Sequence, residues 1–373
     1  MIETADVVVI GGGIVGMGAA FFLSEAGVRD VVVCEQAHVG AGASGRAAGV
    51  MMLQVGSETD LRFQLEAIAV HRRLQDEVGT DLHASGCLLL WRSADAAQAA
   101  EKREALYADF GVEVDALGPD ELRRLFPYLA VDGIVLGTYS AADLWATPLA
   151  TVQRLAEVTR RRGVVVREGC RVIGIENDGV RAHRVVTQDG AVAAGAVVNA
   201  AGAWARGLGE LTGVRIPITP RKRQVFVLEP PADVPPDSVF IMEEEEDFYC
   251  KTRAEGLIMV CGQPPGEALE PLVEWGYLDD ALSRTERLIP AARSRPITGA
   301  WAGIRPLSPD GRPFLGPAAG LDGYYVAGGF GGQGFTQGPL GGRLIAELIT
   351  TGRSSVDLTS YRPDRAVRSP RPR

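Results

Sequence analysis

The stretch "VVVIGGGIVGMGAAFFLSEAG", Val7–Gly27, decides the fold. Val7–Ile10 reads as a parallel strand buried on both faces, and the pattern after it opens a helix running to about Ala26. Between them stands Gly11-x-Gly13-x-x-Gly16. Gly11 permits the tight turn, Gly13 lets backbone approach a pyrophosphate, and Gly16 lets helix and strand pack closely; the helix N-terminus then faces the phosphate charge. Val31–Cys34 is a second buried strand. It ends at Glu35, 24 residues after Gly11, where a carboxylate accepts ribose hydroxyls. The run Val7–Leu23 is close to membrane length, but five glycines interrupt it, and strand–turn–helix is the better reading. This βαβ unit implies a dinucleotide and does not separate NAD from FAD.

A second glycine-rich segment, "VAGGFGGQGFTQGPLGG", lies at Val326–Gly342, and eight of its seventeen residues are glycine. Glycine loses more entropy on folding than any other residue, so such a cluster in a folded chain needs a reason. A nicotinamide dinucleotide needs no second glycine loop here. FAD is longer, and backbone passing close to its ribityl chain and flavin cannot carry Cβ atoms. Tyr324–Ala327, the turn Gly328–Gly334 and a helix over Leu340–Thr350 form a strand, a glycine turn and a helix. Its amides suit negative charge on a reduced flavin. Val197–Ala200 ends in Ala201, Gly202, Ala203 and Trp204, a third strand with a glycine turn. A loop without a ligand is the alternative reading of the late glycines.

Bulk composition narrows the classes. The chain has 373 residues, 46% of them hydrophobic, enough for two domains or one bipartite unit. A net charge of −9 argues against nucleic acid and anionic membrane as partners. Five scattered cysteines and four histidines form no metal-ligand pattern and no disulfide framework. The acidic start MIETAD leads straight into a strand and is not a signal peptide. A cytoplasmic protein with no transmembrane segment is expected. Between the two glycine regions, Gln224–Leu228, Val239–Met242, Phe248–Thr252 and Leu257–Cys261 read as an antiparallel group. The expected fold class is α/β: a Rossmann-type FAD-binding domain (1–80, 141–215 and 300–361) interrupted by an α+β substrate domain with a mainly antiparallel sheet (81–140 and 216–299). The Arg/Pro-rich end, 362–373, reads as a disordered tail.

Five ordered segments resemble the FAD-dependent amine and amino-acid oxidoreductases typified by D-amino acid oxidase, glycine oxidase and sarcosine oxidase. They are the Val7–Gly27 stretch, "GASGRAAGVM", "VVNAAGAWA", "WAGIRPLSPDGRPFLGP" and "GYYVAGGFGGQGFTQGPLGG". "TPRKRQVFVLEP", Thr219–Pro230, most resembles the sarcosine oxidase β-subunit and proline dehydrogenase branch. The resemblance implies that Gly11, Gly13, Ile14, Val15, Gly16, Glu35 and Gln36 hold the nucleotide end. It places Ser44, Gly45, Arg46, Ala48 and Gly49 along the pyrophosphate and flavin, and Val172 at the adenine. Ala200, Ala201, Gly202, Trp204 and Gly303 join the same cofactor wall. Gly329, Phe330, Gly331, Gly332, Gln333, Gly334, Phe335 and Thr336 wrap ribityl and flavin. Gln333 stands where that branch often has His. Relatives that tether flavin covalently do so through a Cys whose place here is Gly303, so non-covalent FAD is expected.

Arg305 sits among small and apolar neighbours. Such a guanidinium is either paired with an internal carboxylate or awaits a ligand's. In the family the matching Arg clamps the substrate carboxylate with a planar fork. Tyr249 matches a substrate-contacting Tyr, the alternative being a core aromatic. Lys251 alternates onto the same strand face and could reach the pocket. Met51 and Gln54 are candidate lining residues, and Glu243–Glu246 is a solvated turn or a lid. The Lys that promotes reaction with oxygen in sarcosine oxidases aligns with Met259. The implied reaction is hydride transfer from a carbon next to nitrogen to flavin N5, giving an imine; such chemistry requires no strong base. The substrate would be a small amine or amino acid of the glycine, sarcosine or proline kind, and the electron acceptor O2 or a partner. A flavin 2-hydroxy-acid dehydrogenase and a non-catalytic FAD-binding subunit are the alternatives.

Overall fold

The computed structural model describes residues 3–365 except 237, 254, 263 and 265. Its first sheet is built on parallel strands in the spatial order Val165–Arg167, Val31–Cys34, Glu3–Ile10, Gly190–Asn199 and Tyr324–Gly328. Val172–Asn177 and Ala182–Thr187 extend it as an antiparallel ribbon, and Phe314–Pro317 runs antiparallel to Tyr324–Gly328. Val7–Ile10 is buried on both faces because apolar layers cover each side. Strand register brings the three strand ends level: Ile10 pairs with Asn199, and Asn199 with Val326. The glycine turns after these three strands therefore emerge side by side at the carboxyl edge of the sheet, where open α/β sheets take their ligands.

The helices Ile14–Glu25 and Gly334–Thr351 pack against one another beside this sheet. The second starts six residues earlier than the Leu340 expected from sequence, inside the glycine run. The late glycines thus split into two groups. Those up to Gly334 make the turn, whereas Gly338, Gly341 and Gly342 lie within the helix. A Cβ on Gly342 would stand 2.3 Å from the Ala19 amide nitrogen, and one on Gly18 3.1 Å from Pro339 Cα. Glycine within a helix costs about 1 kcal/mol relative to alanine, and here the backbones could not approach otherwise.

The second sheet runs Ile297–Leu307, Thr219–Leu228, Gly256–Cys261, Phe248–Arg253, Phe240–Glu243, Cys87–Trp91, Leu136–Ser140, Asp115–Leu117. All its pairs are antiparallel except Phe240–Glu243 with Cys87–Trp91. One face buries Phe226, Phe248, Leu257 and Met259 with Leu122, Ala281 and Leu288 of the helices Pro119–Leu125 and Leu278–Leu288. The other face turns toward the first sheet. Ile297–Leu307 belongs wholly to this second sheet, so the chain returns to the first sheet after 307 rather than at 300. The disordered tail expected over 362–373 does not begin at 362. Arg365 is almost buried, pairs with Asp310 and lies over the Phe314 ring, while 366–373 fall outside the described residues.

Candidate active site

The first glycine turn is closed by its own side chains. Gly11 has φ of +110°, the left-handed region that suits glycine. A Cβ on Gly16 would sit 1.9 Å from the Gly11 carbonyl oxygen, so Gly16 serves the packing of strand and helix. The Ser44 hydroxyl accepts from the Ile14 amide at 3.0 Å. Glu35 accepts from the amides of Gly12, at 2.7 Å, and Ala37, at 2.9 Å. A carboxylate has about four acceptor positions, so Glu35 retains capacity for hydroxyls while holding the turn.

From this turn a single cavity of about 1910 Å³ extends to the second sheet. That is well above the roughly 300–1,000 Å³ of a site for one small ligand. Val172, Cys170 and Cys34 share its wall with Glu35 and Gln36; burial pushes the Cys34 thiol up to about 12, so it is neutral. Arg46 lines the cavity and also ties its two sides together. Its Nε donates to the Ala41 carbonyl and its Nη1 to Ala302, while Trp301 Nε1 donates to the Arg46 carbonyl. The second sheet presents Leu89, Val225, Phe240, Met242, Tyr249 and Val260 to the same space.

The late turn closes the remaining wall. Gly331 donates to the Pro306 carbonyl, and Gly332 lies so near Arg305 that a Cβ there would meet Cζ at 3.5 Å. Gln333 is fixed by a glutamine relay: Gln64 donates to Gln333 Oε1, and Gln337 donates to Gln64 Oε1. Pro339 lies inside the final helix and has no N–H for the carbonyl one turn before it, that of Phe335. His71 supplies the missing donor: its Nε2 lies 3.1 Å from the Phe335 oxygen and 3.0 Å from that of Thr336. Both partners are acceptors, so Nε2 carries hydrogen. Burial lowers the His71 pKa from 6.5 to about 4.

Arg305 Nη2 donates to the Tyr249 hydroxyl at 2.8 Å, and the Tyr249 ring packs on Phe240 at 4.9 Å between centroids. Among the described residues Arg305 forms no ion pair. Lys251 departs from expectation. It shares the face of Tyr249 as alternation requires, but it is fully buried, donates to the Ser238 carbonyl at 2.6 Å and lies over the Trp145 ring outside the cavity wall. Met51 is likewise buried in the core, whereas Gln54 lines the cavity. Met259 points to the opposite face of the sheet. Glu243 is buried between Arg92 and Arg287 rather than part of a solvated turn. Glu244 is exposed and lines the cavity.

Of the residues expected along a cofactor, Gly13, Ile14, Val15, Ala48, Gly49, Ala200, Ala201, Gly202, Trp204, Gly303, Phe330, Gly334 and Phe335 line the cavity, with those placed there above. Gly16, Gly45, Gly329 and Thr336 stand behind the wall. Gly45 faces the Gly40 carbonyl, Gly329 has φ of +79° against Phe314, and Thr336 donates to the Val50 carbonyl. Arg221 and Arg223 were missed. The signal available was their alternation with Thr219 and Val225 along one strand, and all four line the cavity.

These residues fit FAD. A Cβ on Gly13 would meet only Ser44 and one on Gly202 nothing, both at the cavity wall, beside a helix N-terminus suited to a pyrophosphate. The cavity then continues past the nucleotide loop to a second glycine turn and an arginine. This architecture is that of a flavoprotein oxidoreductase. The chain belongs to the DAO family of FAD-dependent oxidoreductases, whose model matches residues 6–348. It is 26% identical over 385 residues to mitochondrial dimethylglycine dehydrogenase of Rattus norvegicus, covering 97% of this chain and 45% of that protein. It is 27% identical to glycine oxidase of Geobacillus kaustophilus, covering 97% of each. The chain thus spans less than half the length of the mitochondrial relatives and nearly all of the glycine oxidase. Among solved structures, L-proline dehydrogenase from P. horikoshii superposes with a TM-score of 0.91 at 26% identity, over 97% of this chain and 98% of that one. No helix among the described residues is long and apolar enough to cross a membrane.

Proposed function

We propose that the protein oxidises the C–N bond of a small amine or amino acid bearing a carboxylate, giving an imine. Arg305 carries this reading: a guanidinium on the cavity wall, without a carboxylate partner among the described residues, held by Tyr249 and seated against Gly332. The names of its relatives, dimethylglycine and sarcosine dehydrogenases, glycine oxidase and proline dehydrogenase, support the same substrate class. Bound FAD, held non-covalently, supplies the two-electron acceptor. The remaining work belongs to the chain. Arg305 would clamp the carboxylate with two charge-assisted hydrogen bonds of about 1.5–3 kcal/mol each. Tyr249 would set the plane of that fork. The apolar wall of Phe240, Met242 and Val260 would exclude water from the reacting carbon. The only histidine in the wall, among the described residues, is His38, two residues after Gln36 in sequence. Among the described residues no other imidazole lines the cavity that holds Arg305, in keeping with chemistry that needs a neutral amine and no strong base.

The FAD-loaded protein, screened anaerobically with glycine, sarcosine, dimethylglycine, proline, both enantiomers of common amino acids and 2-hydroxy acids, is expected to bleach with amines. Bleaching by hydroxy acids alone, or by none of them, would overturn the proposal. Repeating the active case in air, with and without a dye acceptor, separates O2 from a partner as the electron sink.

A further inference from the structure

The alternation along Thr219–Leu228 brings a second, unassigned cation to the substrate end of the cavity. Arg221 is the direct cross-strand partner of Arg305 in the antiparallel pairing with Ile297–Leu307, and both line the cavity. Directly opposite residues stand about 5 Å apart at Cβ, and like charges so placed destabilise a sheet. Such a pair is ordinarily relieved by a carboxylate, and here none of the described residues serves. Among the described residues Arg305 bonds only to the Tyr249 hydroxyl, and Arg221 has no ion pair and a buried Nε without an acceptor. Arg223, two residues on, shows the usual solution: it is paired with Asp247. The other lining acids are engaged elsewhere, Asp60 with Arg312 and Asp310 with Arg365, while Glu35 holds backbone amides. Glu244 lies exposed on its turn with no bond to either arginine.

We propose that the cleft takes an amine carrying two carboxylates, with Arg305 holding one and Arg221 the other. This rests on the amine-oxidation reading and narrows it. A monocarboxylate would fill one fork and leave the facing guanidinium unrelieved. A short dicarboxylate spans adjacent strands and satisfies both.

The test is a titration of the FAD-loaded protein with inert anions, tracked by the change in flavin absorbance. Succinate and glutarate are compared with propionate and butyrate. One further charge-assisted contact predicts a Kd about tenfold or more lower for the dianions. The gap is expected to collapse in Arg221→Met and to persist in part in Arg221→Lys, which keeps the charge without the fork. Equal affinity of wild type for mono- and dianions, or an intact gap in Arg221→Met, overturns the inference. Should Arg221→Met not load FAD, the wild-type comparison and Arg221→Lys decide. The two readings fail differently. If amine oxidation is wrong, no amine bleaches the flavin while the dianion preference stands. If the second carboxylate is wrong, sarcosine-type amines bleach it and dianions bind no better than monoanions.

Discussion

Replacing His71 with leucine tests whether a distant imidazole holds the start of the final helix, directly after the turn that closes the cavity. Pro339 cannot donate to Phe335, and His71 Nε2 is the donor that reaches this carbonyl. Leucine leaves a buried carbonyl unpaired, a loss of about 1–3 kcal/mol at pH 7. His71→Gln, which keeps an N–H donor, is expected to lose less. The pH dependence gives a second number. Folding lowers the His71 pKa from 6.5 to about 4, so between those values the unfolded chain binds a proton that the folded chain does not. The contribution of neutral His71 is therefore complete above pH 6.5 and is lost as pH falls toward 4. Between pH 7 and 5 the linkage amounts to about 2 kcal/mol. Leucine has no such dependence, so the deficit of His71→Leu should shrink by about that amount on acidification. Urea unfolding of wild type and both variants at pH 7, 6 and 5, at one FAD concentration, measures it; effects common to all three chains cancel in the differences. A leucine variant as stable as wild type at pH 7, or a gap that is constant or widens toward pH 5, refutes the reasoning.

Arg305→Met should lower kcat/KM for carboxylate-bearing amines by about 10²-fold or more while FAD stays bound, from the loss of two charge-assisted bonds; steady-state kinetics with flavin absorbance decide, and unchanged kinetics remove Arg305 from the site. Gly342→Ala gains about 1 kcal/mol of helix propensity but drives a methyl into the Ala19 amide, so a net loss of about 1–3 kcal/mol is expected from thermal unfolding, and a stabilised variant would contradict the close helix contact. Asp143 is buried, accepts from the Leu53 amide and has its pKa raised from 3.8 to about 7 by desolvation. Its folded form holds the proton longer than the unfolded chain, so its contribution falls as pH rises from 3.8 to 7. Asp143→Asn should therefore gain on wild type between pH 5 and 8, and a difference that does not vary with pH counts against it.

Local chemistry made the first loop legible. Gly11, Gly13 and Gly16 each answer a steric demand of a turn a few residues long, and Glu35 stands at the end of the next strand; such short-range constraints are written in spacing. The late glycines were legible as a turn between a strand and a helix, and Arg305 as a cation in apolar surroundings. Their partners were not. Gly338 and Gly342 exist for a helix more than three hundred residues earlier in the chain, and Pro339 for His71, more than 260 residues before it. No periodicity records such a contact. Lys251 shows the same limit from the other side: alternation placed its face correctly, but where the wall of the cavity ends along a strand depends on Ser238 and Trp145. Likewise Arg221 and Arg305 face one another at the cavity only through a register between strands more than eighty residues apart. The sequence alone determined the cofactor-binding architecture, because backbone geometry at glycine is local. The tertiary structure decided which cations face the cleft with no carboxylate partner among the described residues, because that depends on which carboxylates folding has already brought to the others.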